Sequence, residues 1–247
     1  MRQMSAPAER PGRGQGEALS VPGSDEALRP RHEADDTGPG LLLAVLAREN
    51  MQQALKRVRS NKGAAGIDGL GIDETVERLV WEWPAIREQL LRGTYRPQPV
   101  RLVMIPKPDG GQRELGIPTV TDRLIQQALL QVLQPLLDPT FSQHSYGFRP
   151  GRSAHQAVQT AQAYVQSGRR VVVDVDLEKF FDRVNHDILI DRLRKRVPDG
   201  GVIRLVRAYL TSGIMAGGVF WERTEGTPQG GPFTPLTQKV ISNSRWY

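Results

Sequence analysis

Between residues 41 and 59, apolar side chains recur every three or four positions, and most of the arginines and lysines lie between them. This period predicts one amphipathic helix with a basic face. A glycine-rich segment, NKGAAGIDGLGIDE, then breaks the pattern, because so many glycines disfavour regular structure. A second helix is predicted over residues 75–92, and Pro84 is expected to bend or split it.

Extended patterns begin at residue 100. Residues 100–105 and 112–117 are two extended runs joined by the turn-forming sequence PDGG, which predicts a β-hairpin. A broad apolar stripe from about Thr121 to Pro139 predicts a long helix, and a further helix is predicted to begin near Ser153.

The second half of the chain combines one continuous apolar run with shorter periodic segments. The run RRVVVDVDLEKFF is typical of a buried strand that ends in carboxylates. Helices are predicted near residues 184–196 and 202–210, and a strand pair near 214–224 precedes the sequence GTPQGGPFTPL. The order of elements predicts one folded domain of the α+β class.

Composition separates the first forty residues from the rest. They contain five prolines and six glycines, and seven acidic residues against five arginines, so they are predicted to form a disordered leader. The remaining 207 residues carry 28 basic and 20 acidic side chains, which favours a polyanionic partner. The chain has no cysteine, and no apolar run is long enough to span a bilayer, so a cytoplasmic protein is expected.

Asp174 and Asp176 lie at the end of the predicted buried strand. Residues i and i+2 of a strand share a face, so the two carboxylates could bind one Mg²⁺ together with substrate phosphates. Two solvated aspartates at the end of a strand would give the same triplet. The spacing by itself leaves both interpretations open.

Several long motifs, in one order, resemble the reverse transcriptases encoded by group II introns. They are IPKPDGGQRELGIPTVTDRLIQQAL, SYGFRPGRSAHQAV, VVVDVDLEKFFDRVNHDIL and GTPQGGP. The resemblance implies the fingers and partial palm of a right-hand polymerase. It divides the chain into a leader at 1–40, a helical extension at 41–92 and a fingers and palm region at 93–247.

The resemblance also implies roles for individual residues. Asp176 matches the metal-binding aspartate, with the carbonyl of Leu177 as a neighbouring ligand for Mg²⁺, while the role of Asp174 stays open. Phe181 matches an aromatic residue that lies under the sugar of the incoming nucleotide. A ring in this position leaves no room for a 2′-hydroxyl and so favours deoxynucleotides.

Further matches concern the incoming deoxynucleoside triphosphate and the nucleic acid. Lys107 and Arg113 match the basic pair that contacts the triphosphate, and Gln229 and Gly230 match the loop that lines the nucleotide pocket. The arginines of the SYGFRPGRS loop, Arg149 and Arg152, are expected to contact template RNA. The implied partners are RNA and a DNA primer.

The sequence departs from this family after Leu236. The family continues with an aromatic-x-Asp-Asp signature that supplies the other catalytic carboxylates, and no such signature occurs here. We therefore expect a truncated polymerase that is inactive alone and poorly soluble, because an apolar sheet edge would remain unpaired. Two alternatives are an RNA-binding, maturase-like module and, more remotely, a metal-dependent glycosyltransferase that uses the DVD triplet.

Overall fold

The computed structural model describes residues 40–108, 110–177 and 180–242, which form a mixed α+β structure. The predicted leader at 1–40 lies outside the described residues except for Gly40. The helices are α1 (Leu41–Val45), α2 (Arg48–Ser60), α3 (Ile72–Arg92), α4 (Val120–Leu137), α5 (Ala154–Gln166), α6 (His186–Arg194), α7 (Gly200–Leu210) and α8 (Thr234–Ser242). The strands are β1 (Val100–Pro106), β2 (Gln112–Ile117), β3 (Ile214–Ala216) and β4 (Val219–Trp221).

Helix α4 lies at the centre of the hydrophobic core. Its residues Ile125, Leu129 and Leu133 are fully buried, and α1, α2, α7 and α8 all contact this core. Polar side chains join the helices at the edges of the apolar contacts. Asn50 on α2 donates a hydrogen bond to the carbonyl of Ala128, and the side chain of Asp199 accepts one from the backbone of Leu42.

One detail of the helical prediction is wrong. The single helix expected over residues 41–59 is broken after Val45, because the side chain of Asn50 donates to the Val45 carbonyl that a continuous helix would use internally. Helix α3, in contrast, is not split: it runs from Ile72 to Arg92 with Pro84 inside it. No described helix is both long and apolar enough to cross a membrane.

The sheet has the order β2-β1-β3-β4. Strands β1 and β2 form the predicted antiparallel hairpin, with Ile105 opposite Arg113, whereas β3 is parallel to β1 and antiparallel to β4. Gly116 on β2 lies so close to Val100 that a Cβ atom would be 2.9 Å from the valine Cγ2. Because β1 pairs with β3, the sheet joins the hairpin to the segment that follows α7.

The predicted buried strand before Asp176 is absent. Residues 171–177 form neither helix nor strand, and the valines at 171, 172, 173 and 175 are 77–86% exposed. A strand requires a neighbour to pair with its backbone, and none of the described strands lies beside this segment. The unpaired sheet edge expected from the sequence is thus an exposed apolar segment without regular structure.

Exposed β-branched residues of this kind favour association between chains. We expect the double variant Val172→Lys with Val173→Lys to raise the soluble fraction of the protein severalfold after centrifugation. The matched control places two lysines at exposed Gln159 and Gln162 on α5, which adds the same charge without removing apolar surface. An equal gain in the control would show that net charge, and not the valine segment, governs solubility.

Candidate functional site

The loop formed by residues 226–231 is fixed to two other parts of the chain. The backbone N–H of Thr227 donates to the carbonyl of Phe181, and the N–H of Gly116 on β2 donates to the carbonyl of Gln229, both at 2.7 Å. The loop therefore brings Phe181, Gln229 and strand β2 of the hairpin into one region.

Gly226 allows this close approach. Its φ is +81°, and a Cβ atom would lie 2.8–2.9 Å from the backbone oxygens of Phe181 and Asp182. Its N–H donates to the carbonyl of Val184, and its own carbonyl is 2.7 Å from Nε2 of buried His186. A larger residue at 226 would push the loop away from Phe181.

Gly230 is held in a similar way. Its φ is +122°, and a Cβ atom would lie 2.7 Å from the carbonyl oxygen of Gly116. Gln229 and Gly230 therefore lie directly against β2. Gln229, Gly116, Asp182 and Arg223 are among the residues that line a small depression at this junction.

Lys107 and Arg113 lie on the same hairpin as Gly116, closer to its turn. Both are exposed, and neither forms an ion pair with a carboxylate in the part of the chain that the structure describes. The turn between them is closed by a hydrogen bond of 2.7 Å from the backbone N–H of Lys107 to the carbonyl of Gly111. Two unneutralised cations on a hairpin suit an anionic ligand.

Arg223 belongs to this region, although no sequence pattern singles it out. It lines the depression, and burial there lowers the pKa of its guanidinium. The carboxylates of Asp182 and Glu114 oppose this shift but do not reverse it. Its Nη1 atom is buried and has no hydrogen-bond partner among the residues that the structure describes. The sequence ERTEGT resembles an ordinary polar loop, so the burial of Arg223 depends on how the loop docks.

The two aspartates of the DVD triplet are exposed, as is Leu177. Oδ1 of Asp176 accepts a hydrogen bond of 2.9 Å from the N–H of Leu177. No group of three or more histidine or carboxylate side chains among the described residues is placed to hold a metal ion. The DVD triplet and Leu177 therefore provide candidate ligands for a divalent cation but do not complete a site for it.

Phe180 and Phe181 differ in their surroundings. Phe180 packs against the hydrophobic core, and Phe181 contacts it in an edge-to-face arrangement with ring centroids 5.9 Å apart. Phe181 is partly exposed beside the 226–231 loop. The core aromatic thus supports the second ring, and the backbone carbonyl of Phe181 binds the loop at Thr227.

The structure places Arg149 differently from the sequence prediction. Its side chain is only 6% exposed and forms two hydrogen bonds, at 2.8 and 3.0 Å, with the carboxylate of Asp138. It also donates to the carbonyls of Asp138, Ser142 and Ser145. All of its nitrogen atoms are occupied, so Arg149 holds the loop in shape and does not present a free guanidinium to RNA.

Arg152 is the exposed arginine of the same loop. Its guanidinium lies 5.6 Å from the ring centroid of Tyr146, whose hydroxyl is hydrogen-bonded to Thr160. Phe148 has a φ of +50° and is 76% exposed. The loop therefore presents a cation and an aromatic ring, which are the groups that contact RNA phosphates and bases.

A comparison with known protein families identifies the chain. Residues 105–244, more than half of its length, match the family described as reverse transcriptase (RNA-dependent DNA polymerase). The chain belongs to this reverse transcriptase family. The family membership also excludes the glycosyltransferase alternative.

The relatives place it among the reverse transcriptases of group II intron type. The chain is 36% identical over 209 residues to protein YkfC of Escherichia coli, a match that covers 82% of the chain and 55% of the relative. It is 36% identical over 189 residues to the group II intron-encoded protein LtrA of Lactococcus lactis, covering 76% of the chain and 31% of LtrA. The chain thus spans about half and about a third of these relatives.

A solved structure shares the fold. The reverse transcriptase chain is similar to a chain of a partial Cas6-RT-Cas1–Cas2 complex, with a TM-score of 0.56 and 26% identity. The match covers 82% of this chain and 34% of the other. This similarity confirms the predicted α+β, reverse transcriptase-like fold.

Proposed function

We propose that this chain provides the nucleotide-binding and template-binding part of an RNA-directed DNA polymerase of group II intron type. The observation that carries the proposal is the docking of the 226–231 loop on both Phe181 and strand β2. A nucleotide placed against this loop would have the hairpin cations on one side and the Phe181 ring on another. The similarity to an intron-encoded protein supports a role with intron RNA, and assistance in splicing is part of the proposal.

Each group in this region has a distinct task in the proposal. Lys107 and Arg113 neutralise the triphosphate, since they are exposed and have no carboxylate partner among the described residues. Phe181 excludes a 2′-hydroxyl by shape. Gln229 and Gly230 line the pocket, where glycine permits close approach of the backbone and glutamine offers both a donor and an acceptor.

Reverse transcriptases are generally metal-dependent, and we propose Mg²⁺ with Asp176 and the Leu177 carbonyl as ligands. The residues described here do not complete such a site. In this proposal other carboxylates complete the site, since the sequence contains no aromatic-x-Asp-Asp signature. Pairing of residues 171–177 with a strand that carries those carboxylates would also bury the exposed valines.

Template RNA is proposed to contact Arg152, Phe148 and the basic face of α2. In this arrangement Arg149 acts indirectly, because it fixes the loop that carries the other two groups. A second candidate function is RNA binding without polymerisation. The exposed, irregular segment around Asp176 favours it, since that segment does not position a metal ligand.

Primer extension on an RNA template tests the incomplete metal site, and RNA binding tests the property that the two candidates share. We expect the 247-residue chain with deoxynucleotides and Mg²⁺ to give no extension above the Asp176→Ala control, although both bind the RNA template with the same affinity. Extension that Asp176→Ala abolishes would contradict the incomplete metal site. Failure of both proteins to bind RNA would contradict both candidate functions.

The role of Phe181 can be tested by binding alone. Replacing Phe181 with valine is expected to lower the preference for a deoxynucleotide over the matching ribonucleotide by about tenfold, because the smaller side chain admits the 2′-hydroxyl. The measurement is competition between the two nucleotides for the protein bound to template and primer. Phe180→Leu serves as the control. A preference unchanged in Phe181→Val would exclude this residue from sugar selection.

A further inference from the structure

A second concave surface lies between the carboxyl end of α3 and helix α7. It encloses a volume of about 260 Å³, and three arginines line it: Arg96, Arg204 and Arg207. Leu90, Leu205 and Ala208 provide apolar lining in the same cavity. None of these residues belongs to the depression beside Gln229.

The arginines leave an excess of positive charge at this cavity. Arg204 and Arg207 are neighbours on α7 because they are three residues apart in a helix, and Arg96 comes from the segment between α3 and β1. Arg207 forms an ion pair with exposed Asp187. Arg96 and Arg204 form none with any carboxylate in the described ranges.

The Arg204 side chain approaches the end of α3 at Gly93. Gly93 ends α3 with a φ of +71°, and a Cβ atom there would lie 2.9 Å from Nε of Arg204. The guanidinium therefore lies close to the end of α3, on a side chain that is exposed and accessible to a ligand.

We propose that this cavity binds a phosphate-bearing nucleotide unit. The phosphate lies against Arg96 and Arg204, whose guanidinium groups match the geometry of phosphate oxygens, and the apolar lining accepts the ribose or the base. The volume is suited to one nucleotide and not to a duplex. The unit comes either from an RNA strand or from a free nucleotide, and the chemistry of the cavity is the same for both.

The test compares wild type with a double variant that carries both Arg96→Gln and Arg204→Gln. Binding of a fluorescent single-stranded RNA is measured over a series of salt concentrations, and binding of fluorescent ATP is measured in parallel. For an RNA ligand, we expect the slope of log affinity against log salt to fall by about 1.4, because two phosphate contacts are lost. The matched control is Arg78→Gln on α3, whose exposed guanidinium is bonded to Glu82.

Each outcome decides the proposal. A reduced RNA slope with unchanged ATP binding assigns the cavity to an RNA strand, and loss of ATP binding assigns it to a free nucleotide. Wild-type behaviour of the double variant with both probes overturns the proposal. If the double variant does not fold, the single Arg96→Gln variant, altered outside the helices, should show about half the slope change. These assays do not depend on primer extension, so they succeed or fail separately from the proposed polymerase.

Discussion

Replacing Arg149 with alanine is expected to lower the free energy of unfolding by about 3 kcal/mol, because it breaks a largely buried ion pair and leaves carbonyl oxygens without a donor. The side chain is 6% exposed, and its partner Asp138 is 24% exposed. Urea unfolding followed by circular dichroism measures the change. Arg152→Ala is the matched control, since Arg152 is the exposed arginine of the same loop.

The loss of stability should depend on pH. The hydrogen bond from Arg149 lowers the pKa of Asp138 in the folded protein. A carboxyl group whose pKa is lower in the folded protein stabilises the fold at pH values above its ordinary pKa of about 3.9. This stabilisation disappears as the pH falls through the lowered pKa of the folded protein. The difference between wild type and Arg149→Ala should therefore be constant near neutral pH and shrink in acid. A difference that grows in acid would contradict the ion pair.

Replacing Gly226 with alanine is expected to destabilise the fold by about 3 kcal/mol and to abolish nucleotide binding. The positive φ accounts for about 1 kcal/mol, and contact of the new Cβ with two backbone oxygens accounts for the remaining 2 kcal/mol. Those oxygens belong to Phe181 and Asp182, so the substitution separates the loop from the aromatic ring. Unfolding in urea and nucleotide titration measure the two effects.

The chain offers a close control for this substitution. Gly218, in the turn between β3 and β4, has the same φ of +81° but no atom within 4 Å of a Cβ. Gly218→Ala should therefore cost only about 1 kcal/mol and leave nucleotide binding intact. Equal effects at both positions would mean that backbone strain alone, and not the docking of the loop on Phe181, explains the loss.

The elements that sequence patterns predicted well are those with local signals. The β1-β2 hairpin has a turn sequence between two extended runs, and α4 combines a wide apolar stripe with Thr119, whose side chain accepts a hydrogen bond from the backbone of Asp122. Helix α5 begins after Ser153, which forms a capping box with Gln156. In each case the residues that determine the element lie within it or next to it.

The errors arise where distant residues decide the outcome. The valine run before Asp174 has the composition of a strand, but a strand needs a partner, and no described strand pairs with it. Arginine is a residue type that often contacts RNA, but the guanidinium of Arg149 forms hydrogen bonds with Asp138, eleven residues earlier. Arg223 is half-buried in a depression that it shares with Gly116 on β2, more than one hundred residues earlier in the chain. None of these contacts leaves a periodic pattern in the sequence.

We propose that the hairpin, Phe181 and the 226–231 loop together bind one incoming nucleotide. Photo-crosslinking of a labelled deoxynucleotide to the protein, on an RNA template with a DNA primer, tests it most directly. We expect crosslinking of the template-matched nucleotide to wild type and to Lys195→Ala, an exposed lysine paired with Asp191. Lys107→Ala should reduce it by about tenfold or more, because a charge-assisted contact is lost. Equal crosslinking of Lys107→Ala and wild type would contradict the claim.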